Sequence, residues 1–263
     1  MYINVLWALI AASGTWGLTA LGAAVVLFFK NPKQSIFNVM LGFSAGVMIA
    51  ASFWSLLQPA IEIANSILKT PAYIIVTLGF VLGAAFIWIS DKIVAKTLSN
   101  TGKNNTDKYN RIVLLVMAIT LHNIPEGLAV GVAFGLLKDG FSSSKLMGAI
   151  LIAVGIGLQN FPEGAAVSLP LRREGYSRRK SFFFGQLSAI VEPVAAVIGA
   201  TLVSTIETFL PFALSFAAGA MIIVSVHELI PECQQNKSEQ PYTATAGIVL
   251  GFSVMMLLDV MLG

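Results

Sequence analysis

The chain reads as long apolar stretches separated by short polar ones. Eight stretches stand out, at roughly 5–29, 35–58, 72–91, 111–137, 146–171, 181–206, 209–230 and 242–262. Each approaches or exceeds the about 20 mainly apolar residues that a membrane-spanning helix needs. Polar breaks fall at Lys30–Gln34, Lys92–Asn110, Lys138–Ser144, Arg172–Lys180 and Glu232–Pro241, with shorter ones at Glu62–Thr70 and near Glu207. Gly and Pro inside the stretches do not argue against helices in lipid. The pattern predicts an all-α integral membrane protein with eight transmembrane helices in a single domain, 1–263. The segment 92–110, rich in Asn, Thr, Gly and Lys and without His, predicts a flexible cytoplasmic linker and not a metal site.

Composition agrees with this reading and adds orientation. Of 263 residues, 56% are hydrophobic and 11% charged, against about 25% charged in soluble domains. The mean hydropathy is +0.82. The sequence pI near 9.0 does not point to nucleic acid, because the basic residues sit in short loops. Thirteen of the Lys and Arg residues fall on one side of the predicted topology, and three (Lys69, Lys138, Lys145) on the other. The positive-inside rule then puts both termini outside. A lone Cys233 excludes an intrachain disulfide and a cysteine-rich zinc site. Val5–Phe29 is long for a signal core, and Met1–Asn4 carries no Lys or Arg, so it is read as a retained first span.

Three carboxylates interrupt the pattern at mid-membrane depth. Glu126 lies 15 residues after Arg111, Glu163 lies 9 before Arg172, and Glu192 lies 12 after Lys180. A charge at such depth costs a few kcal/mol even on lenient scales and marks a functional site. No Lys or Arg occurs within 112–137, 146–171 or 181–206. Either protons or a mobile cation must neutralise these groups.

A metal cation fits, because other ligand types accompany them. Leu121–Val130 (LHNIPEGLAV) and Leu158–Val167 (LQNFPEGAAV) form an internal repeat at an offset of 37, with seven of ten positions identical. His122 and Glu126 are four apart on one helix face, and Gln159 and Glu163 repeat that spacing. Asn123 and Asn160 follow His122 and Gln159. Consecutive spans run antiparallel, so depth can be counted from the cytoplasmic ends. The count pairs His122 with Glu163, and Glu126 with Gln159, with Glu192 at the same level. At about 1.5 Å per residue the five fall within a slab of roughly 9 Å, enough for one ion or two neighbouring ones.

Proline flanks each acid: Pro125 and Pro162 precede Glu126 and Glu163, and Pro193 follows Glu192. Proline inside a helix frees the carbonyl four residues back, here those of Leu121, Leu158 and Ala189. One imidazole with carboxylates and amide oxygens suits zinc and its first-row neighbours, with cadmium also accepted. Two further places stay open at this stage. His227 and Glu228, in HELIPE (227–232), read as an exit or regulatory metal site or as a solvated helix end. Met48 reads as a core methionine or an added ligand. Ser44 and Ser52 read as small packing residues.

The residues HNIPEGLAVG (122–131) and QNFPEGAAVSLPL (159–171), with AGVMIAASFWSLLQPA (45–60), Glu192-Pro193 and HELIPE, resemble the ZIP (Zrt/Irt-like) metal transporters, in a form similar to the prokaryotic GufA-type branch. The resemblance spans the whole chain. It implies uptake of zinc and related divalent ions into the cytoplasm, a multi-pass place in the prokaryotic plasma (inner) membrane, and a homodimer. It implies a two-metal site: one ion on His122, Glu126, Gln159, Glu163 and Met48, the other on Asn123, Glu126, Asn160, Glu163 and Glu192. It also implies inverted-type internal symmetry and an elevator motion of spans one, four, five and six against two, three, seven and eight. Two positions depart from the family pattern. Many members have His at the position of Gln159, and some have Asp at that of Asn160, so the second position here carries one negative charge fewer.

The sequence therefore predicts a carrier with a divalent metal as its substrate, in a lipid bilayer, with no organic cofactor and no nucleic-acid partner. Midplane ligands, broken helices and internal symmetry are what secondary carriers use. No Gly-rich phosphate loop appears, so ATP is not the expected energy source. An empty cluster of three carboxylates holds at least one proton, so exchange of a proton on Glu126 or Glu163 for the metal is expected. Two other classes compete: a proton-coupled carrier of an organic solute, and an intramembrane metallohydrolase. The latter lacks the H-E-x-x-H arrangement, since Asn123 follows His122.

Overall fold

The computed structural model describes residues 2–28, 33–99, 120, 123–139, 143–173, 175–205, 207–234 and 242–262. Among them the chain is helical and contains no strand. We number the helices α1 (Tyr2–Phe28), α2 (Gln34–Ile67), α3 (Ala72–Ser99), α4 (123–135), α5 (Ser143–Arg173), α6 (178–205), α7 (Leu210–Cys233) and α8 (Thr243–Leu262). Seven of these are long and apolar enough to cross a membrane, so the chain is a multi-pass membrane protein. The remaining one, α4, forms the C-terminal half of the predicted fourth span, whose first half lies largely outside the described residues. Helix α3 continues to Ser99, into the segment expected as a linker; 100–110 lie outside the described residues.

The helices pair through small residues, as expected where lipid removes the hydrophobic drive between them. α2 packs along α8, α3 along α7, and α1 along α5 and α6. A side chain at Gly46 would overlap backbone of α8, and one at Gly251 would overlap backbone of α2. The α2–α8 and α7–α3 pairs carry matching sequence. Phe43-x-Ala45-Gly46-x-Met48-Ile49-x-x-Ser52 on α2 recurs as Phe216-x-Ala218-Gly219-x-Met221-Ile222-x-x-Ser225 on α7. Gly79-x-Val81-Leu82-Gly83 on α3 recurs as Gly247-x-Val249-Leu250-Gly251 on α8, and Asp91 and Asp259 follow at equal spacing. Four spans lie between α2 and α7, and four between α3 and α8, so the matching helices run in opposite directions and the repeat is inverted. Symmetry extends to local geometry: α2 and α7 each widen into a π-turn, at Ser52–Leu57 and Ser225–Leu229. In each, the leading Ser hydroxyl donates to the Met carbonyl four residues back, at 2.7 Å for Ser52 and 2.9 Å for Ser225. Such turns cluster at functional places.

The sixth span differs from expectation. Instead of one helix kinked at Pro193, it has two, Arg178–Leu187 and Val191–Thr205. Pro193 sits in the first turn of the second, where its missing N–H removes no intrahelical bond. The Ala189 carbonyl, expected to be free, accepts the Glu192 N–H at 3.0 Å. The Ser188 carbonyl instead takes a side chain from another helix: Asn123 Nδ2 donates to it at 3.0 Å. Trp16 on α1 donates its indole N–H to Gln186 at 2.9 Å, just before the break.

Candidate metal site

The break in α6 and the glycines of the twin segments bring the acidic residues together. A Cβ at Gly127 would overlap the Glu192 backbone, so α4 meets α6 beside both carboxylates. A Cβ at Gly164 would overlap the Thr19 carbonyl, so α5 meets α1 next to Glu163. Glu126, Gln159, Asn160 and Glu192 are fully buried, and Asn123 and Glu163 nearly so.

Amides and hydroxyls tie the carboxylates together. Gln159 Nε2 donates to Glu126 Oε1, joining the residues that the depth count pairs. Asn160 Nδ2 donates to Glu192 Oε1 at 2.9 Å. Thr15 on α1 donates its hydroxyl to Glu192 Oε2. Ser44 on α2 donates to Glu163 Oε1 at 2.7 Å. Glu126 lies within electrostatic reach of Glu163 and Glu192. Among the described residues, no three His, Cys, Asp or Glu side chains by themselves form a metal-sized group; carboxylates and amides form the cluster jointly. Glu192 also lies in the first turn of the helix beginning at Val191, where the N-terminal dipole favours a carboxylate.

The arrangement leaves acceptors without donors. Glu126 Oε2, Gln159 Oε1 and Asn160 Oδ1 are buried and accept no hydrogen bond. Each amide spends its NH2 on a carboxylate, and turning it over would set oxygen against oxygen. Its carbonyl oxygen is thereby held as an acceptor. Buried acceptors are normally satisfied, and a cation satisfies several at once.

The other sequence candidates are distributed as follows. His122 lies outside the described residues. Met48 is fully buried in an apolar cluster with Ala8, Ala12, Ala129 and Val130. His227 is exposed and Glu228 half-buried, both in the π-turn of α7. Sequence reasoning assigned Ser44 to packing and gave no role to Thr15. The available signal was weak: Thr15 and Thr19, hydroxyls four apart in an otherwise apolar span.

Comparison with known proteins gives consistent matches. The family described as "ZIP Zinc transporter" matches residues 99–259. The chain is 40% identical to "Zinc transporter ZIP11" of Bos taurus, with 97% of each chain covered. It is 35% identical to "Zinc transporter ZIPB" of Bordetella bronchiseptica, covering 99% of this chain and 83% of the relative. It is 34% identical to "Zinc transporter GufA" of Myxococcus xanthus, covering 93% and 94%.

Proposed function

This chain belongs to the ZIP family of zinc transporters, and on that premise we propose that it carries zinc, ahead of cadmium, iron and manganese, into the cytoplasm. One observation carries the reading: Glu126, Gln159 and Asn160 each bury an acceptor oxygen without a donor, while the amides of Gln159 and Asn160 are bonded to the carboxylates of Glu126 and Glu192. No fixed cation accompanies them in these spans. The ion takes Glu126, Glu163 and Gln159, with His122 and Met48 completing its shell. The chain's relatives are transporters, and it is not an enzyme. Termini outside follow from the loop charges.

An elevator motion is part of the proposal. α1 packs with α5 and α6, α2 with α8, and α3 with α7. The seam between the two groups runs where α2 meets α5, and the Ser44–Glu163 hydrogen bond crosses it. Sliding one group past the other moves Glu163 relative to Ser44 and exposes the ion to the opposite side.

The test is uptake of zinc, cadmium, iron and manganese into liposomes holding the purified protein, with Glu163→Ala as control. Uptake that follows this order and vanishes in the variant is expected. If no metal enters, or the variant transports normally, the proposal is wrong.

A further inference from the structure

A vestibule lies near the C-terminal end of α8, on the side that the loop charges assign to the outside. One cavity of about 390 Å³ opens between α2, α4, α5 and α7. A second, of about 400 Å³, lies between α2, α5 and α8. Both are lined by Ser55, Pro59, Gly148 and Ile152, so they are two arms of one space. Ala133 in its wall is seven residues beyond Glu126 on α4, and Ile152 is seven before Gln159 on α5. At 1.5 Å per residue the vestibule reaches to about 10 Å from the acidic cluster. Its charges differ in sign between the arms. Glu62 and Asp259 line one of them. Gln58 Nε2 donates to Glu62 Oε1 at 3.1 Å, and the Ser55 hydroxyl donates to Asp259 Oδ1 at 2.7 Å. Lys145, exposed in the first turn of α5, lines the other. Among the described residues no other Lys or Arg lines either arm. Fixed anions at the mouth suit a carrier of cations, and a fixed ammonium opposes it.

We propose that Lys145 determines the entry rate of the metal: its charge in the vestibule repels the incoming divalent ion and limits Vmax/KM for uptake. Clefts lined by charge raise or lower the local concentration of an ion through the field alone, without contact. The carboxylates of Glu62 and Asp259 enrich cations in the vestibule, and Lys145 offsets them from the facing helix. A unit charge about 10 Å from a divalent ion in water changes the ion's local concentration about fourfold before screening by salt. The effect is confined to entry. Gln159 is 14 residues from Lys145 along α5, or about 21 Å, so an ion already in the cluster scarcely feels the ammonium. Lys145 therefore acts on KM and not on Vmax. This inference rests on the transport reading above and adds the residue that sets how fast the site fills.

The test is the initial rate of zinc uptake by intact cells expressing the full chain, with ionic strength varied at constant osmolarity. Lys145→Gln is expected to lower KM about threefold at 0.01 M salt and less than twofold at 0.15 M, as the screening length falls from about 30 to about 8 Å. Lys145→Glu reverses the charge and is expected to lower KM about eightfold at the lower salt. Vmax stays unchanged in both. Lys145→Arg keeps the charge and the wild-type KM. Lys69, exposed between α2 and α3, lines neither arm, so Lys69→Gln is expected to leave KM unaltered and serves as the control for general surface charge. An unchanged KM in Lys145→Gln and Lys145→Glu overturns the proposal. So does a KM shift of equal size at both salt concentrations, or one that Lys69→Gln reproduces. If the wild-type chain moves no zinc, the transport reading fails and this inference falls with it; normal wild-type uptake with unaltered Lys145 variants refutes this inference alone.

Discussion

Ser44 on α2 donates its hydroxyl to the Glu163 carboxylate on α5 at 2.7 Å, between two helices that pack against each other. A serine that looks like packing in the sequence therefore holds a buried carboxylate in place. Its removal leaves Glu163 to reorient within the site. We expect Ser44→Ala to lower Vmax/KM for zinc roughly tenfold or more, since hydrogen bonds to charged groups contribute about 1.5–3 kcal/mol. Ser44→Thr retains the hydroxyl and most of the activity. Uptake kinetics in liposomes check this; an unchanged Ser44→Ala would mean that the bond has no part in transport.

Gln159 ties down Glu126 and presents an amide oxygen. Gln159→His replaces that oxygen with imidazole, which suits zinc better than manganese. The expected result is a zinc affinity raised about tenfold, or about 1.4 kcal/mol, with manganese affinity little changed. Competition between the two ions in a binding assay reads this directly, and equal shifts for both would contradict it.

A metal that binds only the folded chain must stabilise it. Zinc at about 100 times its Kd should add about 2.7 kcal/mol. A thermal melt of detergent-solubilised protein should shift upward with zinc, return to baseline with chelator, and show no shift in the Glu126→Ala/Glu163→Ala double variant. A zinc-dependent shift that survives in the double variant would place the ion elsewhere.

Glycines at helix crossings make a contrast. A Cβ at Gly164 would overlap the Thr19 carbonyl, whereas at Gly17 it would meet nothing within 4 Å. Gly164→Val should force α1 and α5 apart, an overpacking that typically costs about 1–3 kcal/mol, and leave little folded protein on size-exclusion chromatography. Gly17→Ala should be neutral or slightly stabilising, by up to about 1 kcal/mol from helix propensity. Equal yields of the two variants would refute the close α1–α5 approach.

Several features were legible in the chain itself, and each for a local reason. Span positions follow from runs of apolar residues, because lipid admits nothing else of that length. The acids at 126, 163 and 192 were visible because a buried charge has no apolar substitute. The Glu126–Gln159 pairing followed from counting residues, because a helix rises by a fixed step and adjacent spans alternate in direction. The repeats linking α2 with α7 and α3 with α8 were also written there, but their matches are mostly small and apolar residues that resemble any membrane helix.

Other features depended on parts of the chain far apart in sequence. Thr15 and Glu192 are 177 positions apart, and Ser44 and Glu163 are 119 apart. A hydroxyl in an apolar span normally bonds its own helix, as Ser52 does with Met48. Whether it instead reaches a carboxylate is decided by which helix packs beside it. The break at 188–190 is of the same kind, because Asn123 from α4 supplies the donor that the Ser188 carbonyl takes up. The sequence by itself thus determined a membrane-embedded carboxylate cluster with amide companions, because desolvation makes such residues meaningful wherever they stand. Only the tertiary structure decided which oxygens are held by donors and which are buried without one, because a hydrogen bond depends on distance and direction that no one-dimensional pattern specifies.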